Sequence, residues 1–328
     1  LVTGGAGYIG SHIVRILAGE GEELLVVDDL SQGHAAAVGG AELIRADFAD
    51  DAMLDEQLAK GEVEFIIHMA ASCEVGESVK SPSEYYANNV TRSLKLLDAA
   101  RRHGVKGIVF SSTAAVYGEP RELPIAEEHQ TVPTNPYGDT KLAIERALEW
   151  YAGAYGLHFV ALRYFNAAGA HPDGSIGEDH DPESHLIPRL LHSLRSGEEI
   201  PVFGEDYPTE DGTCVRDYVH VVDLAQAHVL AVRAMRRGEV RAESFNLGNG
   251  EGFSVRQVID AVERVTGSRP STVAAPRRAG DPAVLVASSS RISERLGWRP
   301  SHPALEQIIG TAWAWHSSHP RGYDDGSG

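Results

Sequence analysis

Seven residues near the start of the chain, Gly4-Gly5-Ala6-Gly7-Tyr8-Ile9-Gly10, constrain the fold more than any other feature. They follow the short apolar run Leu1-Val2-Thr3 directly and satisfy both GxGxxG, counted from Gly5, and GxxGxxG, counted from Gly4. Between a strand and a helix, glycines at this spacing permit a tight turn, close approach of the backbone to a pyrophosphate, and packing of helix on strand. A plain surface turn would also accept them, so the surroundings matter. The next strand-like run ends in Val26-Val27-Asp28. A carboxylate at that strand end accepts hydrogen bonds from a ribose diol and repels a 2′-phosphate, which favours NAD over NADP; a solvated strand-end residue is the alternative for Asp28.

The rhythm of the first half agrees with a dinucleotide fold. Short β-branched runs (Leu1 to Thr3, Glu23 to Asp28, Val63 to Met69, Gly107 to Ser112, Phe159 to Phe165) alternate with longer amphipathic stretches (Ser11 to Gly19, Tyr85 to His103, Tyr137 to Tyr155). Such alternation predicts an α/β fold, a doubly wound and mainly parallel sheet of Rossmann type with helices on both faces. Beyond Asn166 the texture changes. Ala167 to Ser184 is rich in Gly, Asp, His and Pro and reads as a long loop, a kind of segment usually tied to function inside a compact protein. Helix-like and strand-like pieces then mix. We therefore expect a nucleotide-binding domain over 1–166 and a smaller, interleaved α/β substrate-binding lobe over 167–328. Part of that lobe, about 215–250, is expected to return to the first domain through Ser244-Phe245-Asn246-Leu247.

Composition narrows the partners. A net charge of −18 without any Lys/Arg block repels polyanions and argues against nucleic acid, so a phosphate-bearing ligand must be held by local groups. No apolar run reaches the roughly 18 residues of a membrane span, and no signal-peptide pattern is present, which points to a cytoplasmic protein. The two cysteines, Cys73 and Cys214, stand far apart without metal-ligand spacing; they fit a reducing compartment, argue against a structural metal and are expected to be buried or half-buried thiols.

Chemistry enters with Tyr137-Gly-Asp-Thr-Lys141, which follows Asn135-Pro136. Proline suits the first helical turn, and residues four apart share one helix face. Upstream, the strand Gly107 to Phe110 runs into Ser111-Ser112-Thr113, so hydroxyls emerge at the carboxyl end of the sheet, where ligands bind. An ordinary Tyr is only about 0.1% phenolate at pH 7; lowering its pKa by ~3 units takes roughly 4 kcal/mol. The Lys141 ammonium and a cationic nicotinamide ring are natural sources of that stabilisation. Taken alone, the pair also fits a packed ring beside a surface lysine.

Together with Val27-Asp28-Asp29-Leu30, His68-Met69-Ala70-Ala71, Val75-Gly76-Glu77-Ser78, Asn88-Asn89-Val90, Phe110 to Gly118, Arg163-Tyr164-Phe165-Asn166, Asp206 to Asp217 and Arg277-Arg278-Ala279-Gly280-Asp281, these motifs resemble the extended short-chain dehydrogenase/reductase family nearly end to end. The resemblance is strongest to its sugar-nucleotide 4-epimerase branch. It implies Tyr137 as catalytic base, Lys141 as its electrostatic partner and Thr113 as the catalytic hydroxyl. NAD contacts are implied at Gly4, Gly7, Tyr8, Ile9, Gly10, Asp28, Asp29, Asp47, Phe48, Met69, Ala70, Ala71, Asn88 and Phe165, besides Tyr137 and Lys141. Contacts to a UDP-sugar are implied at Asn166, His185, Leu186, Phe203, Arg216, Arg278 and Asp281, with Thr113 beside the sugar. Cys73 stands where some members carry a cofactor-contacting Lys, and His185 where some carry Asn.

The activity implied is interconversion of UDP-glucose and UDP-galactose. Tyr137 phenolate takes the 4-hydroxyl proton while hydride leaves sugar C4 for NAD⁺; the 4-keto sugar swings about its phosphate linkage, and hydride returns to the other face. A grip on both sugar orientations has to come mainly from the UDP part, a task for Arg216 and Arg278 unless they are structural ion-pair partners. Leu285, counted on from Asp281, is expected beside the sugar's 2-substituent, where an aliphatic wall would permit slower turnover of N-acetylated UDP-sugars. The competing expectations are a 4,6-dehydratase or decarboxylase on the same scaffold, and a non-catalytic NAD sensor. Dehydratases of the family place Asp-Glu directly after the catalytic Thr, whereas this chain has Ala114-Ala115; a sensor should lose the Tyr/Lys pair. The resemblance further implies a homodimer paired through the helices at Tyr85 to His103 and Tyr137 to Tyr155. Leu94, Leu97, Ile144 and Leu148 are the candidates for that face or for the core.

Overall fold

Apolar β-branched runs separated by amphipathic stretches fold as a parallel sheet when helices can cover both faces of every strand. The computed structural model describes residues 1–278 and 280–324. Its strands are β1 (Val2–Thr3), β2 (Leu25–Asp28), β3 (Glu42–Arg45), β4 (Phe65–His68), β5 (Gly107–Thr113), β6 (His158–Tyr164), β7 (Asn166–Ala168), β8 (Ile200–Phe203), β9 (Val215–His220), β10 (Ala242–Leu247), β11 (Gly252–Ser254), β12 (Thr272–Ala275) and β13 (Val284–Leu285). A seven-stranded parallel sheet runs in the order β10-β6-β5-β4-β1-β2-β3. Neighbouring residues alternate between two cores: Val26, Ile67 and Val109 face one, Val27, Ile66 and Ile108 the other, the period-two alternation of a strand. Helices Tyr8–Gly19 and Val221–Arg236 fill the first with Ile13, Val14, Leu17, Leu224 and Val229. Helices Asp51–Leu58, Ser93–Arg102 and Pro136–Tyr155 fill the second with Leu54, Leu58, Leu96, Leu97, Ile144 and Leu148. This is the doubly wound α/β sheet expected from the sequence.

Burial decides one open alternative. Leu97, Ile144 and Leu148 are at most 1% exposed, and Leu94 packs on the same core; all four hold this chain's own helices to its sheet. The run from Pro82 to Arg102 is helical throughout but widens into a π-helical stretch at Tyr86–Arg92, a feature often found near functional sites.

Past Asn166 the chain contributes to both layers. Val221–Arg236 and β10, which includes Ser244–Leu247, join the main sheet. The remainder forms a smaller layer in which β9 pairs with β7, β11 and β13, and β8 pairs with β12. Helices Leu186–Ser196, Val255–Thr266 and Leu305–Ser318 pack Leu190, Leu191, Val258, Val262, Ile308 and Ile309 into its own core. The stretch expected to be a loop over Ala167 to Ser184 begins inside β7 and is irregular from Gly169 onward.

Candidate active site

The main sheet reverses its winding between β1 and β4, so a crevice opens at their carboxyl ends, the usual ligand position in such sheets. The glycine turn lies there. Gly4 sits at φ +69°, where an added Cβ would stand 2.5 Å from the Ala70 nitrogen, and a Cβ on Gly10 would stand 2.1 Å from the Gly4 carbonyl oxygen. At Gly7 a Cβ would meet only that same oxygen, at 3.5 Å, so the outer face of the turn is open. Helix Tyr8–Gly19 starts immediately behind it and points its unpaired N–H groups out of the crevice wall, a ready site for a pyrophosphate.

Asp28 lies at the end of β2. Its Oδ2 accepts the Ala6 N–H and its Oδ1 the Leu30 N–H, each at 2.9 Å. Burial raises its pKa, and the two backbone donors work against that shift. A carboxylate offers about four acceptor sites, so capacity for a ribose diol remains. Asp29 is turned to the Ser31 N–H at 2.9 Å. Asp47 and Phe48 follow β3; Asp47 caps the Ala49 N–H and sits 3.4 Å from Arg92 Nη2, while Phe48 is buried against His68. Met69, Ala70 and Ala71 follow β4, with the Met69 and Ala70 N–H groups donating to the Thr3 carbonyl. Asn88, on the π-helical stretch, donates from Nδ2 to Ser72 Oγ at 3.0 Å. The donor and acceptor set along these strand ends fits a dinucleotide carrying a free ribose diol.

Helix Pro136–Tyr155 is begun by Asn135, whose Oδ1 accepts the Gly138 N–H at 2.9 Å, with Pro136 in the first turn. Its four-residue spacing places Tyr137, Lys141 and Glu145 along one stripe. Lys141 Nζ donates to the Ser111 carbonyl at 2.7 Å and lies 6.0 Å from the centre of the Tyr137 ring. Glu145 anchors the far end of the stripe: it accepts from Ser112 Oγ and pairs with Arg163 Nη2 at 2.5 Å, and Arg163 Nη1 donates to Tyr117 Oη at 2.9 Å. Thr113 ends β5 and faces the phenol. Burial pushes Tyr137 well above its ordinary pKa, with Cys73 adding to the shift and the Thr113 hydroxyl opposing it. Burial also lowers Lys141 to about 8. Lys141 and a cationic nicotinamide are expected to lower the phenol, whereas desolvation, the largest influence in the folded chain, raises it.

Cys73 is exposed, not buried or half-buried as expected, and Cys214 is buried. The remaining expected contacts fall into two groups. Phe203, Arg216, Arg278, Asp281 and Leu285 come together across β8, β9 and β13: Leu285 is paired with Arg216 in parallel register, and Arg278 stacks 4.0 Å above the Phe203 ring. Leu285 and Phe165 pack against the small cluster of Val116, Tyr117, Ile125 and Leu142. Arg216 and Asp281, both expected to hold the nucleotide, are hydrogen-bonded to each other. The Asn166 amide donates to the Asp217 carbonyl at 2.9 Å. The second group, His185 and Leu186, opens helix Leu186–Ser196; His185 Nδ1 is 2.5 Å from Glu178 Oε1.

A family model described as the NAD dependent epimerase/dehydratase family matches residues 1–248. The chain belongs to the NAD dependent epimerase/dehydratase family. UDP-glucose 4-epimerase of Halalkalibacterium halodurans is 54% identical over 98% of this chain and 97% of that protein. The crystal structure of UDP-glucose 4-epimerase from Brucella ovis in complex with NAD superposes with a TM-score of 0.92 at 47% identity, covering 95% of this chain and 96% of that one. UDP-glucose 4-epimerase from Bifidobacterium longum in complex with NAD⁺ and UDP gives a TM-score of 0.92 at 37% identity over 98% and 99% of the two chains. As in the rest of this epimerase/dehydratase family, the cofactor is NAD.

Three features of this family member were not read from the sequence. Glu145 stands four residues beyond Lys141, a spacing that would have revealed it. Asp217 carries no such mark: buried in β9, it accepts the N–H groups of Asn249, Gly250 and Ala287 and ties three segments together, while burial raises its pKa to about 6. The third is a cluster of Glu178, His180, Glu183 and His185. Its pattern, Glu-x-His-x-x-Glu-x-His, contains no cysteine and is legible in the sequence.

Proposed function

We propose that this chain is an NAD-dependent UDP-glucose 4-epimerase, interconverting UDP-glucose and UDP-galactose through a 4-keto intermediate. The observation that carries the proposal is the stripe of Tyr137, Lys141 and Glu145 set against the Thr113 strand end, beside the glycine turn. Full-length likeness to proteins of that activity supports it. When held at the glycine turn and Asp28, NAD⁺ would supply a hydride acceptor for sugar C4 and a positive charge on its ring. Tyr137 takes the proton of the 4-hydroxyl and returns it after the sugar has turned. Lys141, held by the Ser111 carbonyl, keeps a cation near the phenolate. Thr113 orients the proton path. Arg278, on its Phe203 platform, and Arg216 are assigned to the pyrophosphate, and Asn166, Leu186 and Asp281 to the remaining UDP contacts. Because the sugar must present either face, few hexose contacts are fixed. Leu285 is assigned to the wall beside the 2-substituent.

Exposed rings at Tyr86, Trp150 and Tyr155, of which Trp150 is 78% exposed, support a homodimer formed on the helices that carry them. Among the described residues no helix is long and apolar enough to cross a membrane; two free cysteines and a nicotinamide cofactor support work in the cytoplasm.

The decisive experiment is turnover of UDP-galactose by the purified chain, with the product identified as UDP-glucose by chromatography. No turnover, or a 4-keto-6-deoxy product, would refute the proposal. Acid-released nucleotide should be NAD⁺ or NADH; stoichiometric NADP would overturn the role of Asp28.

A further inference from the structure

The irregular segment behind β7 gathers four metal-ligating side chains within eight residues. Glu178, His180, Glu183 and His185 each present one donor atom, and the four atoms lie within 4.8 Å of one another. Both histidines point Nδ1 inward. His180 Nδ1 is 3.3 Å from Glu178 Oε1 and 3.9 Å from Glu183 Oε2; His185 Nδ1 is 2.5 Å from Glu178 Oε1 and 3.6 Å from Glu183 Oε1. Donors bound at about 2.0–2.2 Å around a tetrahedral ion stand roughly 3.3–3.6 Å apart, so small side-chain adjustments would complete the shell.

Burial makes the cluster more than a chance meeting of acids and bases. The Glu178 and Glu183 side chains are only 3% and 9% exposed. Glu183 Oε2 is buried and makes no hydrogen bond, and His180 Nδ1, also buried, has only the 3.3 Å ion contact to Glu178 Oε1, a costly state for polar atoms unless something occupies the space between them. Glu183 is aimed from behind, since its Oε1 accepts the His185 N–H at 2.7 Å and so leaves Oε2 facing the cluster. An outer partner that fixes a ligand in this way is typical of metal sites.

We propose that Glu178, His180, Glu183 and His185 bind one divalent cation of the zinc class. Two imidazoles select borderline ions such as Zn²⁺ or Co²⁺ over Ca²⁺ and Mg²⁺, which prefer oxygen alone. Two carboxylates balance the ion's charge. A cation competes with protons for the same nitrogen and oxygen lone pairs, so its uptake weakens as pH falls. The site joins two parts of the crevice wall: the Tyr8 ring of the glycine turn stands edge-on to His180 at 6.2 Å, and His185 precedes helix Leu186–Ser196. A bound ion therefore braces the segment between the cofactor cradle and that helix.

The test is Zn²⁺ titration of the chelator-treated, NAD-containing chain, followed by calorimetry and by metal analysis after gel filtration. One ion per chain is expected, and Co²⁺ should give the strong visible absorption of a four-coordinate site. His180→Ala and Glu183→Gln should each weaken Zn²⁺ binding at least ~10-fold, while His192→Ala leaves it unchanged. His192 belongs to the separate His192–His316 pair, whose ring nitrogens are 3.1 Å apart, and serves as the control. Glu183→Gln keeps the side chain's shape and decides the matter should His180→Ala fail to fold. Less than half an ion per chain, wild-type affinity in Glu183→Gln, or loss of binding only in His192→Ala would each overturn the proposal.

Discussion

The cofactor side of the crevice and the side proposed for the sugar nucleotide are assembled over very different sequence distances. On the cofactor side, Gly4 to Gly10 make one turn, and Tyr137, Lys141 and Glu145 make one helical stripe; each motif carries its geometry within itself. On the other side, Phe203, Arg216, Arg278, Asp281 and Leu285 come from separate segments, aligned by β9–β13 pairing and by Asp217 holding Asn249, Gly250 and Ala287. A short-range motif fails when one atom is out of place. A long-range surface spreads the same task over contacts that can each give a little. Substitutions on the first side should therefore act on chemistry or cofactor retention outright, and those on the second should act by degrees.

The largest effect is expected at Tyr137. Tyr137→Phe should lower turnover at least ~10²-fold, the lower scale for loss of a general base, while the purified protein still carries nucleotide. Turnover within tenfold of wild type would remove Tyr137 from the proposed role. Next comes Gly10→Ala, whose Cβ would be driven to 2.1 Å from the Gly4 oxygen. Overpacking of backbone against backbone should cost about 1–3 kcal/mol in stability and deplete the NAD that co-purifies, both measurable by thermal melting with and without added NAD. A melting curve and NAD content equal to wild type would show that the turn yields, and the contrast between the two sides would weaken.

Arg216→Ala sharpens the comparison on the long-range side. If Arg216 holds the pyrophosphate, KM for UDP-galactose should rise about tenfold, the scale of one charge-assisted hydrogen bond, with kcat nearly unchanged. If it serves only as the partner of Asp281, Asp281→Ala should reproduce the loss of stability and KM should stay put. The smallest effect is expected from Leu285→Tyr, which should shift the relative turnover of UDP-N-acetylglucosamine and UDP-glucose by about 1 kcal/mol, several-fold, as for a misfit near methylene size. An unchanged ratio would take Leu285 out of the pocket wall.

Much of the cofactor side could be read in advance because turn chemistry and helix periodicity act over a few residues. The glycine spacing, Asp28 at its strand end and the Tyr137/Lys141 pair are all of this kind, and so is the parallel sheet implied by alternating runs. The dimer candidates show where such reasoning stops: Leu97, Ile144 and Leu148 have the spacing of any apolar helix face, and only packing sends them into the chain's own core.

What the sequence determined by itself is thus the nucleotide fold, its glycine turn and the helical spacing that sets Tyr137 and Lys141 on one face, since local sterics and period dictate these. Tertiary structure decided the rest. It half-buried Tyr137, so that desolvation raises the phenol; it set Arg216 against Asp281 across 65 residues; and it turned two histidines and two glutamates inward around one point. Each outcome depends on which surfaces lose water and which distant strands pair. Those quantities belong to the packed chain as a whole, because burial and long-range contact exist only after folding.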